Sequence, residues 1–269
     1  MSKYISKQPD DSGIINFTDQ EHDIWATLIK RQMEIIDGRA CPEFIKGLNL
    51  LNLDQQHIPS LQAINTILNQ HTGWQVEPVA AVIPPETFFT LLANKKFPVA
   101  TFIRRLEHLD YIQEPDIFHE IFGHCPLLTQ PNYADFIHAY GKIALNQDKA
   151  TRRFLFRLFW FTIEFGLILT PQGLRIYGGG ILSSYSETQK CLNGDNIHQA
   201  FSILNALRTP YRIDIEQPIY YIIEDMDSLN SLLDPSVLQD VEKAQALGDF
   251  TPHQKLNQQS GGIHGKFAC

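Results

Sequence analysis

Apolar positions recur every three or four residues through most of this chain. After Thr18-Asp-Gln-Glu21, which has the form of a capping box, Ile24, Trp25, Leu28, Ile29, Met33 and Ile36 follow at helical spacing until Gly38. The same reading predicts helices over Cys41 to Leu50, about Pro59 to Gln70, Glu86 to Ala93, Asn132 to Leu145, Ala150 to Leu169, Ser183 to Leu192, Asn196 to Leu207 and Asp234 to Leu247. Short β-branched or aromatic runs read as strands: Val76 to Val82, Phe97 to Ile103, a pair joined by the Pro171-Gln-Gly173 turn, Tyr211 to Ile215, and Pro218 to Ile223. No repeat appears, and no Pro/Gly/Ser linker divides the body. The expectation is a single mostly α-helical domain over residues 14–250 with small peripheral β-strands, between a flexible N-terminus (1–13) and a flexible tail (251–269).

Composition narrows the class. A hydrophobic content of 43% with 19% charged residues is ordinary for a globular chain of 269 residues. A net charge of −8 without a basic stripe argues against nucleic acid as a partner. Cys41, Cys125, Cys191 and Cys269 are scattered, as reduced thiols in a cytosol would be. Met1 to Asp11 lacks the apolar core of a signal peptide, and Arg157 and Glu164 interrupt the most apolar run. A cytoplasmic protein without membrane contact is expected.

The densest chemistry lies between Glu114 and Pro131, where His119 and His124 stand five apart with Glu120 beside the first. Pro115 and Asp116 suit the first turn of a helix, where a missing N–H is harmless and a carboxylate meets the positive end of the dipole. Five residues of α-helix turn a side chain by about 140°. Gly123 and Pro126 are therefore expected to end the helix, letting the unwinding chain bring both imidazoles to one ion. Zinc-protease helices carry their histidines four apart. A zinc hydrolase with Glu120 as general base thus fits less well and remains an alternative, as do two unrelated histidines. Glu164 sits among large apolar residues in Phe154 to Leu169, where an ionised carboxylate needs a cation or a metal. Arg157 lies seven residues away, about 10 Å along a helix axis, and a partner from another segment stays open. Two histidines and one carboxylate with free coordination positions form the facial arrangement of non-haem Fe(II) oxygenases, which His119, His124 and Glu164 would supply. Gly178-Gly-Gly180 lacks the Lys-Ser/Thr of a phosphate loop and reads as a tight turn that lets backbone approach a ligand.

Glu114 to His124, with Trp160-Phe-Thr-Ile-Glu-Phe-Gly166 and Tyr177-Gly-Gly-Gly-Ile-Leu-Ser-Ser184, resembles the pterin-dependent aromatic amino acid hydroxylases, and most of all their short bacterial members that act on phenylalanine. The resemblance runs from about Phe17 to Asp240. It implies a helical catalytic domain holding one Fe(II), with tetrahydropterin and O2 as co-substrates. His119, His124 and Glu164 match the family's iron ligands. Phe88 matches the aromatic residue that stacks on the pterin, Ala81 and Ile83 match positions whose backbone contacts it, and Glu120 matches a nearby carboxylate.

Arg104 matches the arginine that grips the amino acid's carboxylate, a task suited to a guanidinium fork, although Arg105 stands beside it. Ser183 matches a serine near the substrate carboxylate and the iron ligands, Gly180 a close approach to substrate, and Trp160 a wall of the ring pocket. Ile112 and Phe159 depart from the threonine and tyrosine of animal members. Trp160 with the apolar Ile213 implies L-phenylalanine as substrate, with tyrosine or tryptophan hydroxylation as alternatives within the family. A monomer or small homo-oligomer is expected.

Overall fold

The capping box forms. The Thr18 hydroxyl accepts from the Glu21 main-chain N–H, the Glu21 carboxylate accepts from that of Thr18, and α1 (Asp19–Ile36) begins there. The computed structural model describes residues 4–80, 82–194 and 196–253. Two further helices, α2 (Pro42–Leu51) and α3 (Leu61–Thr72), end on left-handed residues, Asn52 and Gly73. Next, β1 (Gln75–Val79) pairs in parallel with β2 (Lys96–Ala100) across α4 (Pro85–Ala93), Gln75 opposite Lys96 and Val79 opposite Ala100.

The centre of the chain is helical: a π-helical turn (His119–His124), α5 (Cys125–Leu128), α6 (Pro131–Leu145), α7 (Lys149–Phe159) and a second π-helical turn (Trp160–Glu164). The remainder alternates: β3 (Leu167–Thr170), β4 (Gly173–Ile176), α8 (Gly179–Leu182), α9 (Tyr185–Lys190), β5 (Ile197–Ala200), α10 (Ile203–Arg208), β6 (Ile219–Ile223) and α11 (Ser236–Leu247). A four-stranded sheet runs β4-β3-β6-β5, antiparallel at β3–β4 and parallel elsewhere. One continuous core, including Trp25, Phe44, Phe118, Phe122 and Tyr140, fills the space behind the first π-turn.

Several elements differ from the sequence reading. The expected helix over 150–169 stops at Glu164, and Leu167 to Thr170 form a strand that pairs with β4 and β6. A short apolar run carries no period that separates a buried strand from a helix. The expected helix over 196–207 is instead β5 followed by α10, and 211–215 is loop rather than strand. Gly123 and Pro126 do not end the motif helix, because Pro126 opens α5, where its missing N–H is tolerated.

Residues 4–7, grouped above with the N-terminal segment, lie along the chain that follows β2. Lys7 N–H donates to Thr101 O at 3.1 Å, the Thr101 hydroxyl donates to Lys7 O at 2.6 Å, and Tyr4 stacks on Phe102. The tail beyond residue 253 is outside the described residues. Among the described residues, no helix is long and apolar enough to cross a membrane.

Candidate metal centre and ring pocket

The first π-turn resolves the five-residue spacing. Its hydrogen bonds run from i to i+5, so a step of five returns to about the same face. His119 and His124, at its two ends, bring their Nε2 atoms within 3.1 Å of each other. The second π-turn ends at Glu164, whose Oε1 lies 3.3 Å from His124 Nε2 and whose Oε2 lies 3.7 Å from His119 Nε2. Nitrogen and oxygen ligands sit roughly 2.1 Å from a divalent transition metal, which puts neighbours at right angles about 3 Å apart. The three side chains therefore fit one ion. Arg157 is engaged elsewhere, with Asp249 at 2.7 Å and the Leu207 carbonyl at 2.6 Å.

Packing fixes the imidazoles. His119 Nδ1 lies 2.8 Å from Ser183 Oγ, which in turn donates to the Gly180 carbonyl. The hydroxyl proton is thereby used, Nδ1–H becomes the donor to Oγ, and the Nε2 lone pair faces the centre, the tautomer a metal requires. Burial pushes the His119 pKa down to about 4, against the attraction of Glu164, and keeps the ring neutral. His124 is sealed between the Phe97 ring and the backbone of Gly179. A Cβ at Gly179 would stand 2.5 Å from the ring atoms of His124, so the Gly-Gly-Gly run brings backbone against a metal-facing imidazole.

The two nearby carboxylates titrate in opposite directions. Burial works to raise the Glu164 pKa, but His124 and His119 outweigh it and hold this carboxyl below its ordinary value. Burial, reinforced by the charges of Glu164 and Asp116, pushes Glu120 well above its own. Glu120, His119 and His124 also offer ligand atoms within 4.8 Å of one another, so two carboxylates stand near the centre. The shift at Glu164 favours the ionised state a ligand needs, and the shift at Glu120 opposes it.

The cluster opens into a cavity of about 270 Å³. Ile83, Phe88, Arg104, His119, Glu120, Trp160, Glu164, Gly180, Ser183 and Ile213 all line it, as do Ile112 and Phe159. His124 lies behind the wall, 2% exposed, whereas His119 and Glu164 keep 17% and 16% exposure and form its metal-facing edge. Ala81 is outside the described residues.

Phe88 meets Phe156 and Phe159 edge to face at 5.7 and 5.2 Å, and Trp160 stacks on Tyr211 at 4.6 Å. Arg104 is not a free fork. Its Nε and Nη2 donate to Asp116 at 2.8 and 2.9 Å, and Asp116 also accepts from the His119 main-chain N–H. Sequence reasoning placed Asp116 only in a first turn, and it passed over Phe156, Glu187, Tyr211 and Gln217, which also line the cavity. A single sequence carries no motif that marks them.

Two imidazoles and a carboxylate at the edge of a largely apolar cavity, on a mostly helical scaffold, could hold one metal ion with coordination positions left open. The family model described as biopterin-dependent aromatic amino acid hydroxylase matches residues 3–246, and the chain belongs to that family. It is 54% identical over 251 residues to the phenylalanine-4-hydroxylase of Pseudomonas aeruginosa, covering 93% of this chain and 96% of that one.

Among solved structures, the apo cold-active phenylalanine hydroxylase of Colwellia psychrerythraea superposes with a TM-score of 0.91 at 49% identity, over 96% of this chain and 100% of that one. The phenylalanine hydroxylase of Chromobacterium violaceum with bound iron(III) and oxidised 7,8-dihydrobiopterin gives a TM-score of 0.84 at 39% identity, over 91% and 88% of the two chains.

Proposed function

We propose that this chain is a phenylalanine 4-monooxygenase, converting L-phenylalanine to L-tyrosine with O2 and a tetrahydropterin at one iron held by His119, His124 and Glu164. The observation that carries the reading is the meeting of these three side chains at the edge of a cavity lined largely by aromatic and aliphatic residues, with Arg104 among the few charged ones. When bound, iron together with the reduced pterin supplies the activation of dioxygen. The side chains orient and exclude water.

Phe88, backed by Phe156 and Phe159, offers the flat face for the pterin ring, with Ile83 and Glu120 lining the same cavity. Arg104 has five N–H donors, of which Asp116 occupies the Nε–Nη2 edge. The remaining Nη1 edge then meets the amino acid's carboxylate, beside Ser183 and Gly180. Trp160 and Ile213 enclose the ring. An apolar wall suits phenylalanine because tyrosine's hydroxyl would be buried without a partner. The zinc-hydrolase alternative needs an ionised Glu120 as base, a state that burial and the charges of Glu164 and Asp116 disfavour.

The catalytic domain is assigned to residues 14–250. A cytoplasmic monomer or small homo-oligomer without nucleic-acid partners agrees with the net charge of −8 and with Cys41, Cys125 and Cys191 being buried and unpaired.

The test is anaerobic loading with Fe(II), then parallel assay of phenylalanine, tyrosine and tryptophan with one tetrahydropterin. Tyrosine formed from phenylalanine should be the fastest reaction. Tryptophan turning over fastest would overturn the substrate assignment, and zinc-supported activity without pterin would overturn the class.

A further inference from the structure

The loop between α10 and β6 has no regular secondary structure, yet it contributes Tyr211, Ile213 and Ile215 to the cavity wall. Something other than a strand ladder must hold it. Gln217, only 2% exposed, sits at its end and uses its whole side-chain amide and its main-chain N–H. Its Nε2 donates to the carbonyls of Arg212 at 2.8 Å and Ile215 at 3.2 Å, on either side of Ile213. With both amide protons committed to carbonyls, the side-chain oxygen is turned the other way, where it accepts from the Trp160 indole N–H at 3.3 Å.

The Gln217 main-chain N–H donates to Glu187 Oε1 at 3.0 Å, and the same oxygen accepts from the Tyr220 hydroxyl of β6 at 2.7 Å. One buried amide thus joins the two walls of the ring pocket, Trp160 on the second π-turn and the loop carrying Ile213. A buried amide with all its bonds made rigidifies what it touches, because breaking any one of them leaves an unsatisfied group.

We infer that Gln217 is a positioning residue for ring selection, locking the Trp160 indole and the 211–215 loop in one arrangement so that both walls of the pocket keep a fixed separation. This rests on the phenylalanine hydroxylase reading for the name of the preferred ring, but not for the coupling itself. Gln217 also lines the cavity, but its side-chain bonds run to the pocket walls rather than to the His119, His124 and Glu164 cluster. It acts through Trp160 and through the loop carbonyls.

The test uses the iron-loaded full chain with Gln217→Met, which keeps length and loses every side-chain hydrogen bond, and Gln217→Glu, which keeps the acceptor for the indole. Each is made with and without Trp160→Phe. The ratio of kcat/KM for phenylalanine over tryptophan should fall about tenfold in Gln217→Met, as expected for a coupling between residues in contact. Less of the tetrahydropterin consumed should end as hydroxylated amino acid, while iron content and the KM for pterin hold. Gln217→Glu should recover part of the ratio. With Trp160→Phe already present, Gln217→Met should change the ratio much less, because the indole N–H is gone.

Independently of activity, the chain has three tryptophans, so indole-labelled protein should give three N–H resonances. The one removed by Trp160→Phe should shift and exchange faster in Gln217→Met. An unmoved Trp160 resonance, an unchanged ratio, or the same loss in both Trp160 backgrounds would overturn the inference. A proportional fall in iron content and pterin binding would do so too, since that marks a general structural role. If the unsubstituted chain prefers another ring, the substrate reading fails while the ratio and the resonance still test Gln217.

Discussion

At the scale of single residues, the centre depends on which atom of each ligand faces inward. Ser183 settles this for His119 by taking its Nδ1–H, so Ser183→Ala should release the ring and weaken iron binding about 10- to 100-fold, as loss of such an outer partner typically does. Anaerobic equilibrium dialysis with Fe(II) reads that change directly. Glu164→Gln removes the negative charge that balances the cation and should lower both iron retention and tyrosine formation. Retention of both would show that the carboxylate lies outside the coordination shell.

The three candidate ligands could be singled out in the sequence, because two histidines and an isolated carboxylate in apolar surroundings have few other uses, and the fold brings them together. Their supporting residues were not. Asp116 looks like any acidic residue in a first turn, and only the folded chain shows it taking three N–H groups from Arg104 and one from His119.

At the scale of elements, two π-turns carry the three candidate ligands, and the glycines Gly178 to Gly180, at the start of α8, close on them. Adding one methyl at Gly179 tests that fit. Gly179→Ala would place a Cβ 2.5 Å from the His124 ring, so ring or helix must move. Overpacking of this kind destabilises by about 1–3 kcal/mol. Thermal unfolding should show that loss, and iron titration should show weaker binding. An unchanged melting temperature with normal affinity would mean that the ring has room the structure does not show.

The π-turn was the feature least legible in advance. A period of 3.6 residues was assumed, and on that assumption histidines five apart had to be reconciled by unwinding the chain at Gly123. The helix stays continuous and winds wider. The loop 211–215 failed as a strand for a related reason, since the carbonyls of Arg212 and Ile215 are met by the Gln217 side chain rather than by a neighbouring strand.

At the scale of the whole molecule, the buried pair of Arg104 and Asp116 ties the chain after β2 to the start of the first π-turn, joining the βαβ unit to the metal centre. Burial works to raise the Asp116 pKa, but Arg104 outweighs it and holds the carboxyl below the ordinary 3.8. A depressed carboxylate stabilises the fold above its unfolded pKa, and the contribution is lost as pH falls through the folded value. Asp116→Asn should therefore cost roughly 3–5 kcal/mol at neutral pH by leaving a buried guanidinium unpaired. It should also flatten the fall in stability below pH 3.8, read by denaturant unfolding across a pH series. A variant as stable as the parent at pH 7 would remove this pair from the account.

Anomalous diffraction at the iron edge, from crystals loaded with Fe(II) in the absence of oxygen, reads the centre itself. A single peak should be bonded by Nε2 of His119, Nε2 of His124 and a carboxylate oxygen of Glu164, with its other positions open to the cavity. Iron bound by Glu120 with Glu164 turned away, or an ion closed off by a fourth protein ligand, would contradict it.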